Sequence, residues 1–246
     1  MRHAAAGIRI GTAGWAIPAA SRDAFPAAGT GLERYAARFN AAEINSSFHR
    51  PHRPETYERW AAAVPADFAF AVKLPKAITH VARLVAADEP LARFAAEVAG
   101  LGGKLGVVLV QLPPSLALDT AVARYFFRHV AKAVPHAGLA CEPRHASWFT
   151  AEANDLLAGL RVARVAADPA ILPIASAPGG WPGLRYHRLH GSPMIYRSSY
   201  DARFLDAIAA DMTMATGDTP AWCVFDNTAS GAAVANALAL QAMVPA

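Results

Sequence analysis

Little in this chain speaks for a disulfide framework, a zinc site or a membrane span. Only two cysteines occur among 246 residues. Cys141 and Cys223 sit in apolar, strand-like runs without CxxC spacing, which predicts buried, inert thiols. Lysine is scarce: Lys73, Lys76, Lys104 and Lys132 are the four among 23 basic residues. No stretch of 18 uncharged apolar residues exists, and Arg9 interrupts MRHAAAGIRIG before it reaches signal-peptide length. A soluble, cytoplasmic protein without membrane contact is expected. Glycine and proline are dispersed among short turns, with no charge block or linker, so one domain over residues 1–246 is expected. No GxGxxG follows the first strand, where IRIGTAGW stands instead, and no other organic-cofactor motif is present.

What is present is a regular alternation of elements. Eight apolar runs read as strands: IRIGT (8–12), AAEIN (41–45), FAFAVKL (68–74), GVVLVQL (106–112), GLACEPR (138–144), RVARVAAD (161–168), LRYHRLH (184–190) and AWCVFDN (221–227). Helical stripes lie between most of them. Leu32, Tyr35, Ala36 and Phe39 follow one, with Thr30 and Glu33 as a capping box. Tyr57, Trp60, Ala61 and Val64 follow another, with Pro54 near its start. Leu91, Phe94, Ala95 and Val98 form a third; Val122, Tyr125, Phe126, His129 and Val130 form a fourth. Thr150 is the expected cap of a helix through Leu156, Leu157 and Leu160, and Ser230 that of the last helix. Phe204, Leu205 and Ile208 mark one more. After Asp168, the prolines of ILPIASAPGGWPG discourage a helix, so the unit after strand six looks degenerate. Eight strands and about seven helices in this length predict a (β/α)8 TIM barrel.

Side chains alternate along a strand, so the facing of each polar residue can be read from its parity. Glu43 and Asn45 share a side with Ala41, Lys73 with Ala71, and Gln111 with Leu109. Glu142 and Arg144 go with Ala140, Asp168 with Arg164, Arg188 and His190 with Tyr186, and Asp226 with Val224. In every case the polar residue stands at the strand's C-terminal end. That is the active face of such barrels, so a polar mouth is predicted there. Structural ion pairs would explain any one of these residues. Burying so many costs several kcal/mol each unless all are paired, which favours a functional mouth. The loops after strands two, three and seven add His49, Arg50, His52, Arg53, Lys76, His80, Arg83 and Arg197, and a net charge of +4 agrees with an anionic ligand.

The stretches IRIGTAGW, EINSSFHR, FAFAVKLPKAITH, VLVQLPPS, CEPRHASWF, YHRLHGS and VFDNTASGAAVANALAL occur in this order over nearly the whole chain. Together they resemble the YecE-like family, also called domain of unknown function 72. The resemblance implies a TIM barrel with its site at the strand ends, and no particular reaction. The chain departs from the family pattern at His49 (usually tyrosine), at Pro143 and Ala146 (an aromatic and a proline), and at Asp226, which replaces the first of two asparagines.

Three functions fit the residues. In the first, an enzyme acts on a small phosphorylated or carboxylated substrate by general acid/base chemistry. Arg144 and Arg188 clamp the anion, Glu142 or Glu43 is the base, and His190 the acid. Lys73 stabilises negative charge or forms a Schiff base, and the Asn227–Gly231 turn opens a helix suited to phosphate. Asn45, Gln111, Asn227, Trp148 and Tyr196 complete the substrate-binding set, and Asp226 joins the catalytic one. In the second, a nucleic-acid protein or phosphodiesterase uses the basic loops for phosphates and Trp15, Phe48, Trp148 or Tyr196 for bases. Divalent metal ligands would then come from Glu43, Glu142, Asp168, His190 and Asp226. No HxH or HExxH occurs, and HRLH puts His187 and His190 on opposite faces, so no metal ligand is assigned. In the third, the mouth only binds a ligand.

Overall fold

A computed structural model describes residues 7–214 and 219–245. The fold is α/β, with mainly parallel sheets. One sheet contains β1 (Ile8–Thr12), β10 (Ala221–Phe225), β9 (Arg185–Leu189) and β7 (Ala166–Asp168), in that order. The other runs β2 (Ala41–Ile44), β3 (Ala69–Lys73), β4 (Leu105–Gln111), β5 (Gly138–Glu142), β6 (Val162–Arg164) and β8 (Gly179–Gly180). Every pairing is parallel except β6 with β8.

The helices are α1 (Gly31–Ala36), α2 (Ser46–His49), α3 (Pro54–Ala62), α4 (Asp88–Val98), α5 (Thr120–Ala133), α6 (Ala151–Gly159), α7 (Ala202–Thr213) and α8 (Ala232–Met243). The Thr30–Glu33 capping box forms, Pro54 opens α3, and Thr150 caps α6. Between β7 and β9 there is no α-helix, only a 3-10 turn at Pro173–Ser176 and the short β8. The degenerate unit thus stands where the prolines put it. Two expectations fail locally. Gly231, at φ 81°, takes the cap of α8, because Ser230 Oγ instead donates to Arg197 O at 2.5 Å. Tyr125 and His129 lie outside the buried stripe of α5: Tyr125 is 51% exposed, stacks on His129 and donates to Asp88.

Strand alternation separates two cores. Phe70, Val72, Val108, Val110 and Cys141 join the large core against the helices. A second, smaller core takes Ala41, Ala71, Leu109 and Ala140 from one sheet and Tyr186, Trp222 and Val224 from the other. Small residues on one side thereby accept bulky ones from the opposite side, as close packing requires.

The two sheets meet at two irregular seams. At one, β6 pairs with β5 and β7 with β9, while Val165 between them donates from its amide to Cys141 O at 2.9 Å. At the other, β1 and β2 share a single bridge, Ala13 with Glu43. Side chains replace the ladder there. Tyr35 OH accepts from Thr12 N at 2.8 Å and donates to Ala41 O at 3.1 Å. Asn40 accepts from Ile10 N and donates to Ile8 O. Gly11 lies so close to Ala41 O that a Cβ would collide with it. Removing the hydroxyl in Tyr35→Phe orphans a buried amide, and a loss of about 1–3 kcal/mol in urea unfolding is expected. A change below about 0.5 kcal/mol, the range of neutral surface substitutions, would show that the hydroxyl does not bridge the seam.

Candidate active site at the strand ends

Arg188 is the hub. It leaves β9 near its C-terminal end on the same side as Tyr186, in the inner core, and its side chain is 1% exposed. Its guanidinium meets three carboxylates from separate parts of the chain. Nη2 is 2.8 Å from Glu43 Oε1 and 2.9 Å from Asp226 Oδ2, and Nη1 is 3.1 Å from Glu142 Oε2. Nε adds bonds of 3.0 and 3.1 Å to Glu43, making that pair a fork. Tyr186 OH donates to Glu43 Oε2 at 2.9 Å. Each ion would cost several kcal/mol to bury alone, so only this mutual pairing makes the arrangement tenable.

His190 lies between two of the same acids. Nδ1 is 3.0 Å from Asp226 Oδ2, and a carboxylate there accepts, so the proton sits on Nδ1. Nε2 is 2.9 Å from Glu142 Oε1 and 2.7 Å from Arg144 Nη2. When protonated, Nε2 donates to Glu142; when neutral, it accepts from Arg144. Arg144 Nη2 also pairs with Glu142, and Gln111 Nε2 donates weakly to it at 3.4 Å.

The environment sets the protonation of these groups. Burial raises the Glu142 carboxyl, but the charges of Arg188, His190 and Arg144 outweigh it and hold it well below the usual range. Asp226 follows the same balance, with burial opposed by Arg188 and His190, and is lowered. For Arg188, burial is outweighed by Glu43, Asp226 and Glu142, so it stays charged. Lys73 differs: burial and Arg188 push its amine down to about 8, against the smaller pull of the carboxylates.

The structure brings together Glu43, Gln111, Glu142, Arg144, Arg188, His190 and Asp226 of the expected set. Lys73 lies beside them at the end of β3. Tyr196, 47% exposed, sets its ring edge-on to His190 at 5.9 Å. Asn45 caps α2, and its buried Oδ1 has no hydrogen-bond partner among the described residues. The same is true of Arg144 Nε and Asn227 Oδ1. Asn227 does not join the cluster through its amide, which donates to Ser198 O and Asn236 Oδ1 and so holds the loop after β9.

Trp148 is a correction. It is 1% exposed, belongs to the outer core and donates to Leu116 O at 2.9 Å, so it packs the loop rather than meeting a ligand. Asp168 is another. The inner core takes Ala163 and Val165 from this segment, which turns Asp168 to the helix side, where Tyr200 OH donates to it at 2.8 Å. His187 faces outward as expected, to Asp211 of α7. Sequence reasoning missed Tyr186 as a site residue, although its parity with Arg188 was the available signal. Among the described residues, no group of three or more His, Cys, Asp or Glu is arranged to hold a metal ion, and no helix is long and apolar enough to cross a membrane.

Residues 9–246 match the family described as protein of unknown function DUF72. The chain belongs to this family. The UPF0759 protein YecE of Escherichia coli K12 is 32% identical over 98 residues, which are 40% of this chain and 36% of that relative. The alignment thus spans about a third of the curated relative's length. Two DUF72 crystal structures resemble the fold. One, from Enterococcus faecalis V583, has a TM-score of 0.78 at 18% identity, covering 96% of this chain and 95% of the other. One from Thermotoga maritima MSB8 has a TM-score of 0.78 at 22% identity, covering 96% and 98%. At such identities the likeness concerns the fold.

Proposed function

We propose that this DUF72 chain is an enzyme that moves protons on a small anionic substrate, phosphorylated or carboxylated, at the mouth of one eight-stranded barrel. Support for the barrel comes from the inner core shared by both sheets and from the Glu43–Arg188 fork across it. β6 and β7 then count as one strand interrupted at Val165.

The observation that carries the chemistry is His190 Nε2, placed between a donor, Arg144, and an acceptor, Glu142, with Nδ1 held by Asp226. Such an imidazole can both take and give a proton. Glu142 is too weakly basic for the role of general base, because the arginines hold it ionised. It positions Arg144, Arg188 and His190 instead. The anion is held by Arg144, whose side chain is 18% exposed at the edge of the cluster, and by Lys73.

Titration of phosphate and small mono- and dicarboxylates at low salt, followed by amide chemical shifts, tests this function. Binding at the mouth is expected, weakened about tenfold or more in Arg144→Met, since a hydrogen bond to a charged group contributes about 1.5–3 kcal/mol. Shifts that arise only with a single-stranded oligonucleotide would favour the nucleic-acid function instead. No shifts with any anion would end both.

A further inference from the structure

Among the described residues, Lys73 is the cationic side chain beside the cluster that its ion pairs leave out. Its Cα lies on the inner side of β3 with Ala69 and Ala71, and Ser47 Oγ fixes its carbonyl at 2.7 Å. The residue is only 8% exposed. Among the described residues its ammonium has no hydrogen bond and no carboxylate within 4.0 Å, and it rests 4.0 Å from the Phe48 ring centroid. A lysine kept for stability would be expected to pair with one of the three acids next to it, yet Arg188 and Arg144 engage all of them. The other lysines behave ordinarily. Lys104 donates to Val64 O and Pro65 O, while Lys76 and Lys132 are exposed.

We propose that Lys73 is a covalent site, whose amine condenses with the carbonyl carbon of an oxo acid to form an imine. The inference rests on the anion-binding function of the mouth for the carboxylate half of that substrate. The amine lone pair forms the C–N bond while the carbonyl π pair moves to oxygen, which takes up a proton. A second proton lets that oxygen leave as water, and nitrogen loses its own protons, so amine and carbonyl give imine and water with no redox partner. His190 is the group in the mouth able to lend and recover these protons. The amine, pushed down to about 8 by burial and Arg188, has a substantial neutral fraction near that pH. Phe48 covers it from bulk water.

The test incubates the full chain with glyoxylate, and separately with propanal, in cyanoborohydride, and maps the reduced adducts by peptide mass spectrometry. With four lysines in the chain, selectivity is directly legible. The expected result is an adduct concentrated at Lys73, at least tenfold over Lys76 and Lys132, rising as pH passes about 8 and absent at that position in Lys73→Arg. Labelling that follows exposure, with Lys76 and Lys132 ahead of Lys73, would overturn the covalent site, and wild-type protein alone suffices for that outcome. Equal rates for glyoxylate and propanal, unchanged in Arg144→Met, would overturn the oxo-acid specificity and the anion site together. Selective Lys73 labelling would then remain as support for the amine alone.

Discussion

Arg188→Met is expected to destabilise the protein by about 3–5 kcal/mol, the cost of removing one partner from a buried ion pair. In a domain of this length that corresponds to a fall in Tm of about 6–20 °C, at about 2–4 °C per kcal/mol. Methionine fills much of the space but leaves Glu43, Glu142 and Asp226 without the cation that all three share. The pH dependence should separate this cause from lost packing. In the native protein Glu142 and Asp226 are lowered, so they contribute stability above their unfolded pKa of about 4 and lose it as pH falls through that region. Without Arg188 the largest charge opposing burial is gone, so both carboxyls move up and the variant loses less stability than the native protein on acidification. The gap between the two proteins should therefore narrow from pH 7 to pH 5. Arg124→Met, at an exposed position on α5, is the control and should change little. Equal effects at the two positions, or a gap independent of pH, would mean that Arg188 is not the cation that sustains the cluster.

His190→Asn should lower kcat by about 10²–10⁴ on any anion the titration shows to be turned over, because the proton carrier is gone while the cations that hold the substrate remain. KM should move by less than about tenfold, as expected when an interaction made in the transition state is removed. Asp226→Asn should lower kcat in the same direction. An amide can donate to Nδ1, which shifts the imidazole proton to Nε2 and removes the lone pair from the mouth. Activity within tenfold of wild type in His190→Asn would transfer the proton step to another group, with Lys73 next in line.

Asparagine in place of Asp226 could not supply the carboxylate that both Arg188 and His190 use. In this chain the third acid adds a charge to the hub and orients the imidazole.

Much of this was legible from residue order, and the limits are instructive. Period-two alternation on β3, β4 and β5 separated inner from outer residues correctly, because side-chain direction in an extended strand is a local property. Glu142 and Arg144, two apart, do reach one centre, although β5 itself ends at Glu142. Local rules failed where a contact from elsewhere took over. Ser230 left its helix for Arg197, Trp148 was drawn into the core by Leu116, and Asp168, which keeps its parity with Arg164, stands on the helix side, where Tyr200 donates to it.

By itself, then, the sequence determined most of the strands and helices, the caps at Thr30 and Thr150, and the gathering of most of the polar residues at one end, since each follows from neighbours a few residues away. Only the tertiary structure decided that one arginine would bind three acids, that Lys73 would be left without one, and that Tyr35 would stand in for a strand ladder between β1 and β2. Glu43 and Arg188 are 145 positions apart, and their pairing depends on strand order and stagger across an interior that no local pattern encodes.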